Sequence, residues 1–107
     1  MNRPFHAGAG NKEIIGAFKD DLLPAAKEFK PELTLISAGF DSHKEDPLGG
    51  FRIDDQGFRE LTGIMMEIAG LAGESRLISI LEGGYNLQSL SSAVHAHIDI
   101  LNKAKSN

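Results

Sequence analysis

The sequence predicts a single α/β domain, residues 1–107, in which a small parallel sheet is flanked by helices. Two short apolar runs, Leu33 to Ala38 and Arg76 to Leu81, are each followed within a few residues by glycine and a polar side chain. Segments with helical spacing alternate with these runs. Parallel neighbours cannot be joined by a tight hairpin and need a long crossover connection, so the alternation predicts the order βαβαβα, with about three helices and two to three strands.

The N-terminal region is predicted to hold an edge strand and a broken helix. Arg3 to Phe5 is expected to form the short strand. Asn11 can cap a helix whose apolar residues recur at intervals of mostly three and four. These residues are Ile14, Ile15, Phe18, Leu22, Ala25, Ala26 and Phe29. Pro24 lacks a backbone N–H and its ring clashes with the preceding turn, so it should kink the helix near Asp20 or split it in two.

The segment after the first strand is predicted to contain the crossover helix, from Gln56 to Ala72. Asp54 or Asp55 is a suitable N-cap, and Gly73 is a suitable stop. The apolar face of this helix comprises Phe58, Leu61, Met65, Ile68 and Ala72.

A last helix is predicted after the second strand, with Asn86 or Ser89 as its cap. Its apolar stripe would consist of Leu87, Leu90, Val94, His97 or Ile98, and Leu101. In this stripe His97 is expected to be a packed residue at the edge of the core. Residues 101–107 are expected to fray into solvent.

Composition limits the possible partners and compartments. Eleven basic and fifteen acidic residues give a formal charge of −4, which argues against non-specific binding to nucleic acid or an anionic membrane. The absence of cysteine excludes disulfides and thiolate metal sites. No apolar run approaches the roughly 20 residues that cross a bilayer, and the N-terminus lacks the hydrophobic segment of a secretion signal. We expect a soluble cytoplasmic protein of one domain.

Chemistry is predicted where the two strands end. Ligands of open parallel sheets bind beyond the carboxyl ends of the strands, so Asp41 and Tyr85 should share one rim. Asp41 can bind a hard or borderline cation, and the Tyr85 phenol can donate a hydrogen bond to a developing oxyanion. Gly83 and Gly84 would let the backbone approach a substrate closely. These groups suit metal-assisted attack of water on a carbonyl.

A purely structural interpretation of the same residues is also available. The acids of residues 41–50 could be solvated or bonded to backbone N–H groups of a turn, while Gly83 and Gly84 merely open a helix. Residue types alone favour this second interpretation.

Two motifs resemble a known family. SAGFDSHKEDPLGG (Ser37 to Gly50) and LEGGYN (Leu81 to Asn86) are similar to signature segments of the histone deacetylase superfamily. That superfamily includes bacterial acetoin-utilisation and acetylpolyamine amidohydrolase relatives. Leu48 and the glutamate of LEGGY are closer to its class II-like and bacterial branch. The resemblance implies an arginase/deacetylase-type parallel sheet and a mononuclear zinc ion.

The resemblance also implies roles for individual residues. Asp41 corresponds to an aspartate ligand of the zinc, and Tyr85 to the tyrosine that polarises the acetyl carbonyl. Leu48 would line the mouth of the acyl-lysine tunnel, and Gly83 and Gly84 would form part of its wall. Asp46 and Pro47 would be loop architecture, and His43 matches no zinc ligand of the family.

This sequence departs from the family pattern in what it lacks. Family members are much longer. They carry a tandem histidine pair, which this sequence lacks, and an Asp-x-His pair that supplies two further zinc ligands. The only Asp-x-His here is Asp41-Ser42-His43, in which Asp41 is already assigned to another position of the family pattern. The chain is therefore expected to be the C-terminal third of a deacetylase, with weak or absent zinc binding and no activity alone. In the complete enzyme the substrate would be an acetylated lysine or a small acetylated amine.

Three alternatives remain open from the sequence. Asp41, His43 and Asp46 could form a local metal site. The chain could be a non-catalytic remnant of the fold that associates with itself or binds a partner, because a partial sheet leaves unpaired edges and uncovered faces. It could also complement a separate N-terminal chain and act as an enzyme only then. His6, beside the glycine-rich loop, is a weaker candidate for a rim residue.

Overall fold

A computed structural model describes residues 1–103 of the protein, and it has the predicted α/β class. The helical elements are α1 (Asn11–Ala17), a π-helical turn (Phe18–Leu22), α2 (Leu23–Phe29), α3 (Asp55–Ala69) and α4 (Leu87–Lys103). The strands are β1 (Thr34–Ala38) and β2 (Leu77–Leu81). The predicted fraying is wrong for residues 101–103, which belong to α4, and residues 104–107 lie outside the described residues.

The two strands form a parallel pair, as predicted, and α3 is the crossover between them. Thr34 pairs with Leu77 at one end and Ala38 with Leu81 at the other. Backbone pairing continues past the ends of the strands, where the Phe40 N–H donates to the Gly83 carbonyl at 2.8 Å. This bond joins the two loops that follow the strands.

The N-terminal helix is split, as the position of Pro24 predicts. The π-helical turn over Phe18–Leu22 separates two α-helical segments, and Pro24 lies in the first turn of the second segment. The backbone stays helical through this turn, where the Leu23 N–H donates to the Phe18 carbonyl. The wider π turn thus lies directly before Pro24, which has no N–H of its own to donate. The second segment ends at Lys30, whose φ of 55° is left-handed.

The predicted edge strand at Arg3 to Phe5 is wrong, since these residues, within the described range, form no strand. Pro4 cannot donate a backbone hydrogen bond. Its neighbours Arg3 and Phe5 make separate side-chain contacts with other parts of the chain. Arg3 Nε donates to Asp21 at 2.7 Å, and the Phe5 ring packs edge-on against Phe51 at 6.2 Å. The described order of elements therefore begins with a helix.

The crossover helix begins as predicted and ends earlier. Asp54 is its N-cap and accepts a hydrogen bond from the Gly57 N–H at 2.8 Å. The helix stops at Ala69, and the Gly70 N–H is shared between the carbonyls of Met66 and Glu67. Ala72, predicted to be in the helix, is exposed beyond it, because this tight turn ends the helix before Gly73.

The last helix is capped by Asn86, as predicted. The Asn86 Oδ1 accepts the backbone N–H groups of Gln88 at 3.0 Å and Ser89 at 3.1 Å. None of the helices in residues 1–103 is both long enough and apolar enough to span a membrane.

The core covers only one face of the sheet. Its larger cluster of buried residues comprises Ile14, Ala38, Phe40, Ile53, Phe58 and Ala93. A second cluster joins α1, α2 and α3 through Ile15, Ala26, Ile64 and Ile68. On the opposite face Leu35, Ile78 and Ile80 are 60%, 50% and 53% exposed. We call these three residues the bare face.

Candidate active site

The loops that follow β1 and β2 meet at one rim of the sheet. Asp41 is the third residue after β1, and Tyr85 is the fourth after β2. The two loops are in direct contact, because a Cβ placed on Gly83 would lie 2.8 Å from Asp41 Cγ and 2.8 Å from its Oδ2. The sequence predicted this shared rim from the parallel pairing.

The carboxylate of Asp41 lies against glycine backbone. A Cβ on Gly39 would lie 3.0 Å from Asp41 Oδ1, as would one on Gly83. Ser42, next in the chain, turns its hydroxyl to the Gly39 carbonyl at 3.2 Å. Asp41 as a residue is only partly buried.

His43 points to structural partners instead of toward the rim. Its Nδ1 accepts the Glu45 N–H at 3.0 Å, so Nε2 carries the proton and donates to Asp55 Oδ1 at 3.1 Å. Its buried ring stacks on Phe58 with centroids 6.1 Å apart. The Ser92 hydroxyl donates to the same Asp55 oxygen at 3.1 Å.

Asp46 is a buried carboxylate that receives three backbone hydrogen bonds. Its Oδ1 accepts the N–H groups of Leu48 and Gly49, and its Oδ2 accepts that of Tyr85, each at 2.8 Å. Burial by itself would raise the pKa of this carboxyl, but the bonds from Tyr85, Gly49 and Leu48 outweigh it and hold the pKa below its usual value. Asp46 therefore joins the two rim loops.

The predicted alternative of a local metal site is wrong. Within residues 1–103 no group of three or more histidine, aspartate or glutamate side chains could hold a metal ion. The reason is that His43 bonds to Asp55 and Asp46 bonds to backbone N–H groups. Of the three proposed ligands only Asp41 remains.

The predicted substrate-contacting residues lie on the outer side of the rim. Tyr85 is 55% exposed and Leu48 is 74% exposed, so neither side chain belongs to the core. Gly84 has a φ of 146°, a conformation that residues with a Cβ rarely adopt,. A Cβ there would also lie 2.6 Å from Leu90 Cδ1 and 3.4 Å from Phe40 Cβ.

Two contacts at the rim are not predicted by the sequence pattern. A Cβ on Gly49 would clash with the carbonyl oxygen of Asp41, so only glycine allows the loop to fold back this closely. The bond between Asp46 and the Tyr85 N–H spans 39 positions. An Asp followed by Pro and paired glycines indicates a local turn, but nothing in that pattern indicates the distant partner.

Below the rim, His97 forms a buried polar group that was expected to be ordinary packing. Its Nδ1 lies 2.8 Å from Thr62 Oγ1, and its Nε2 lies 2.8 Å from Ser79 Oγ. The Thr62 hydroxyl donates to the Phe58 carbonyl at 2.6 Å, so it accepts from Nδ1–H, and Ser79 donates to Nε2. Burial lowers the pKa of His97. The only hint of this polar group in the sequence is Thr62, a polar residue on the buried side of α3. In contrast, His6 and His95 are exposed.

The sheet, its crossover helix and the two rim loops define a segment of an α/β domain of the kind that binds ligands beyond the ends of its strands. The histone deacetylase domain family matches residues 1–101, and the chain belongs to this family. The resemblance noted in the sequence is thereby confirmed.

Similar proteins come from distant organisms. The chain is 42% identical over 94 residues to histone deacetylase 10, chloroplastic, of Oryza sativa subsp. japonica, covering 88% of this chain and 21% of that protein. It is 43% identical over 95 residues to polyamine deacetylase HDAC10 of Homo sapiens, covering 88% of this chain and 14% of that protein. The chain thus spans about a fifth or less of these relatives.

Solved structures agree with the fold. The crystal structure of the HDA15 HD domain has a TM-score of 0.80 and 41% identity, with 90% of this chain and 26% of that chain covered. The histone deacetylase Clr3 has a TM-score of 0.82 and 36% identity, with 90% of this chain and 16% of that chain covered. The chain therefore has the fold of a segment of a deacetylase catalytic domain.

Proposed function

We propose that this chain supplies part of the active site of a zinc-dependent deacetylase. In this proposal Asp41 is one zinc ligand and Tyr85 donates a hydrogen bond to the acetyl oxygen. The carrying observation is the contact between the Asp41 carboxylate and Gly83, two residues before Tyr85. Family membership and the shared rim of the two loops support the same assignment.

The residues present fit one corner of a zinc site and not a whole site. Catalytic zinc usually takes three protein ligands. Among residues 1–103, Asp41 has no cluster of further histidine or acidic side chains to complete such a set. When bound, zinc would supply a Lewis acid and an activated water. We propose that this chain alone binds zinc weakly or not at all and is inactive.

The chain's own residues would bind and orient the acyl group. The Tyr85 hydroxyl would donate to the oxygen on which negative charge develops, where a fixed donor is most effective. Gly83 and Gly84 would leave room for the substrate amide. Leu48 would offer an apolar contact to the aliphatic part of the substrate that carries this amide. The proposed substrates are acetylated lysine and small acetylated amines, and selection between them would depend on residues outside this chain.

A chimaera tests the proposal. Residues 1–101 would replace the matching segment of the HDA15 HD domain, and acetate release would be measured from an acetyl-lysine peptide and from an acetylated polyamine. We expect activity in the chimaera and none in the chain alone. Tyr85→Phe should lower kcat by about 10²- to 10³-fold, as for removal of an oxyanion donor, and Asp41→Asn should abolish zinc retention.

Controls make this experiment decisive. Asp20→Asn changes an exposed acid on the π-helical turn and should leave the chimaera unaffected. Activity of the chain by itself would overturn the claim that its site is incomplete. Full activity of the Tyr85→Phe chimaera would remove Tyr85 from the mechanism. A mixture of the chain with the rest of the HDA15 domain as a separate polypeptide would test complementation.

A second candidate function is that of a non-catalytic module that associates with itself or with a partner. The bare face favours it, because three half-exposed apolar side chains lie together on neighbouring strands. Burial of such residues drives association. Sedimentation equilibrium of the chain tests this candidate: a dimer that Ile80→Thr converts to monomer would support it, and a monomer at all concentrations would exclude self-association.

A further inference from the structure

We infer that Asp46 is a positioning residue that fixes the backbone at Tyr85 relative to the loop that carries Asp41. This inference rests on the proposed function, in which Asp41 and Tyr85 act on the same acyl group. It assigns no contact with substrate or metal to Asp46 itself.

One carboxylate contacts both rim loops. Asp46 Oδ1 closes its own loop through the N–H groups of Leu48 and Gly49, and Gly49 packs directly against the Asp41 carbonyl. Asp46 Oδ2 accepts the Tyr85 N–H at 2.8 Å. One connection from Asp41 to the Tyr85 backbone therefore runs through Gly49 and the buried Asp46 side chain, in addition to the contact between Asp41 and Gly83.

The chemistry of the carboxylate matters to this link. Its three partners are all N–H donors, and a buried carboxylate is stable only where such donors surround it. An asparagine has one acceptor oxygen and an amide that only donates. If its oxygen keeps the two loop bonds, its NH₂ group faces the Tyr85 N–H, donor against donor. Asp46→Asn should therefore release Tyr85 while leaving the turn of its own loop in place.

Other contacts keep the loops together without holding Tyr85. The Phe40 N–H donates to the Gly83 carbonyl at 2.8 Å, and Asn86 Nδ2 donates to the Glu45 carbonyl at 3.1 Å. The Tyr85 side chain is more than half exposed, so packing does little to fix it. Loss of the Asp46 bond should consequently loosen Tyr85 without separating the loops.

The composition offers a specific reporter. Tyr85 is the only tyrosine and the chain has no tryptophan, so intrinsic fluorescence at tyrosine wavelengths reports Tyr85 alone. In Asp46→Asn we expect a lower fluorescence anisotropy. We also expect amide hydrogen exchange at Tyr85 to be faster by about tenfold or more, the effect of losing a hydrogen bond to a charged group. Exchange within α3 should not change, and Asp20→Asn should match the wild type.

The wild-type chain gives a second measurement that does not require the variant to fold. Leu87 begins α4 and its N–H is among those without an intrahelical acceptor, so it provides an unprotected reference. The Tyr85 amide should exchange at least about tenfold more slowly than the Leu87 amide after correction for sequence effects. Equal exchange at the two amides would overturn the inference, as would unchanged exchange and anisotropy in a folded Asp46→Asn chain.

The chimaera separates this inference from the proposed function. Asp46→Asn should lower kcat with little change in KM, and should cause no further loss when Tyr85→Phe is already present, since the two residues would act as one unit. Equal losses from Asp46→Asn in both backgrounds would refute positioning through Tyr85. If Tyr85→Phe alone has no effect, the proposed function fails, and the exchange data still decide whether Asp46 holds the Tyr85 backbone.

Discussion

The two faces of the sheet have very different surroundings. Alternate side chains of a strand point to opposite faces. Thr34 and Ala38 are buried under the helices, while Leu35 and its neighbours across the sheet, Ile78 and Ile80, are half-exposed. Parallel sheets are ordinarily covered on both faces. The comparison shows that the strands of this chain are built for two layers of packing and that residues 1–103 provide only one.

The largest expected difference in stability is between two isoleucine-to-threonine substitutions, one on the packed side of the sheet and one on the bare face. Ile53 is 2% exposed in the core cluster on the packed side. Ile53→Thr should lower the free energy of unfolding by about 2–4 kcal/mol, because it removes buried apolar volume and buries a hydroxyl. Ile80→Thr, on the bare face, should change it by less than about 1 kcal/mol. Urea unfolding followed by circular dichroism measures both, and equal losses would contradict the comparison.

Two glycines of α3 extend the comparison to the covering helix. A Cβ on Gly57 would clash with Asn11 Oδ1 and lie 2.7 Å from Ile53 Cγ2, whereas one on Gly63 would meet nothing within 4 Å. Gly57→Ala should therefore destabilise the chain by about 1–3 kcal/mol. Gly63→Ala should stabilise it by about 0.4–1 kcal/mol, since alanine restricts the unfolded chain. In thermal unfolding, the midpoint should fall for Gly57→Ala and rise for Gly63→Ala. Shifts in the same direction would refute the packing assigned to these two glycines.

The smallest effect on stability is expected for His97, a buried polar residue on the packed side of the sheet. Its folded-state pKa is lowered by burial, so the unfolded chain binds the proton more readily. Stability from the neutral imidazole is thus complete above a pH of about 6.5, and it declines as the pH falls from there toward the folded pKa. His97→Gln should reduce the decline in unfolding midpoint between pH 7 and pH 5. As a control, His95→Gln changes an exposed histidine and should leave the decline as large as in the wild type. Identical pH profiles for the wild type, His97→Gln and His95→Gln would contradict the assignment of this pH dependence to His97.

Local patterns predicted most of the fold. The caps at Asp54 and Asn86 were predictable because each side chain bonds to N–H groups two or three residues away,. Pro24 marked the break in the first helix. The edge strand at Arg3 to Phe5 was not excluded by composition, because its absence depends on contacts with Asp21 and Phe51, far along the chain.

The site was predictable to a lesser degree. Parallel pairing sufficed to bring Asp41 and Tyr85 to one rim, but residue types alone favoured a simple turn, and the proposed roles came from the resemblance. The bond from Tyr85 to Asp46 and the His97 bond to Thr62 join residues 39 and 35 positions apart. Such pairs depend on how elements pack, and a single sequence carries no periodic signal for them.

The register of the sheet also has a consequence for how the chain reaches its native state. Thr34 must find Leu77, 43 positions away, and no hairpin can bring them together in steps. The entropy of closing so long a loop is lost before the strand hydrogen bonds compensate for it. Refolding should be limited by this closure and should accelerate when α3, which shortens the intervening segment, is made intrinsically more helical.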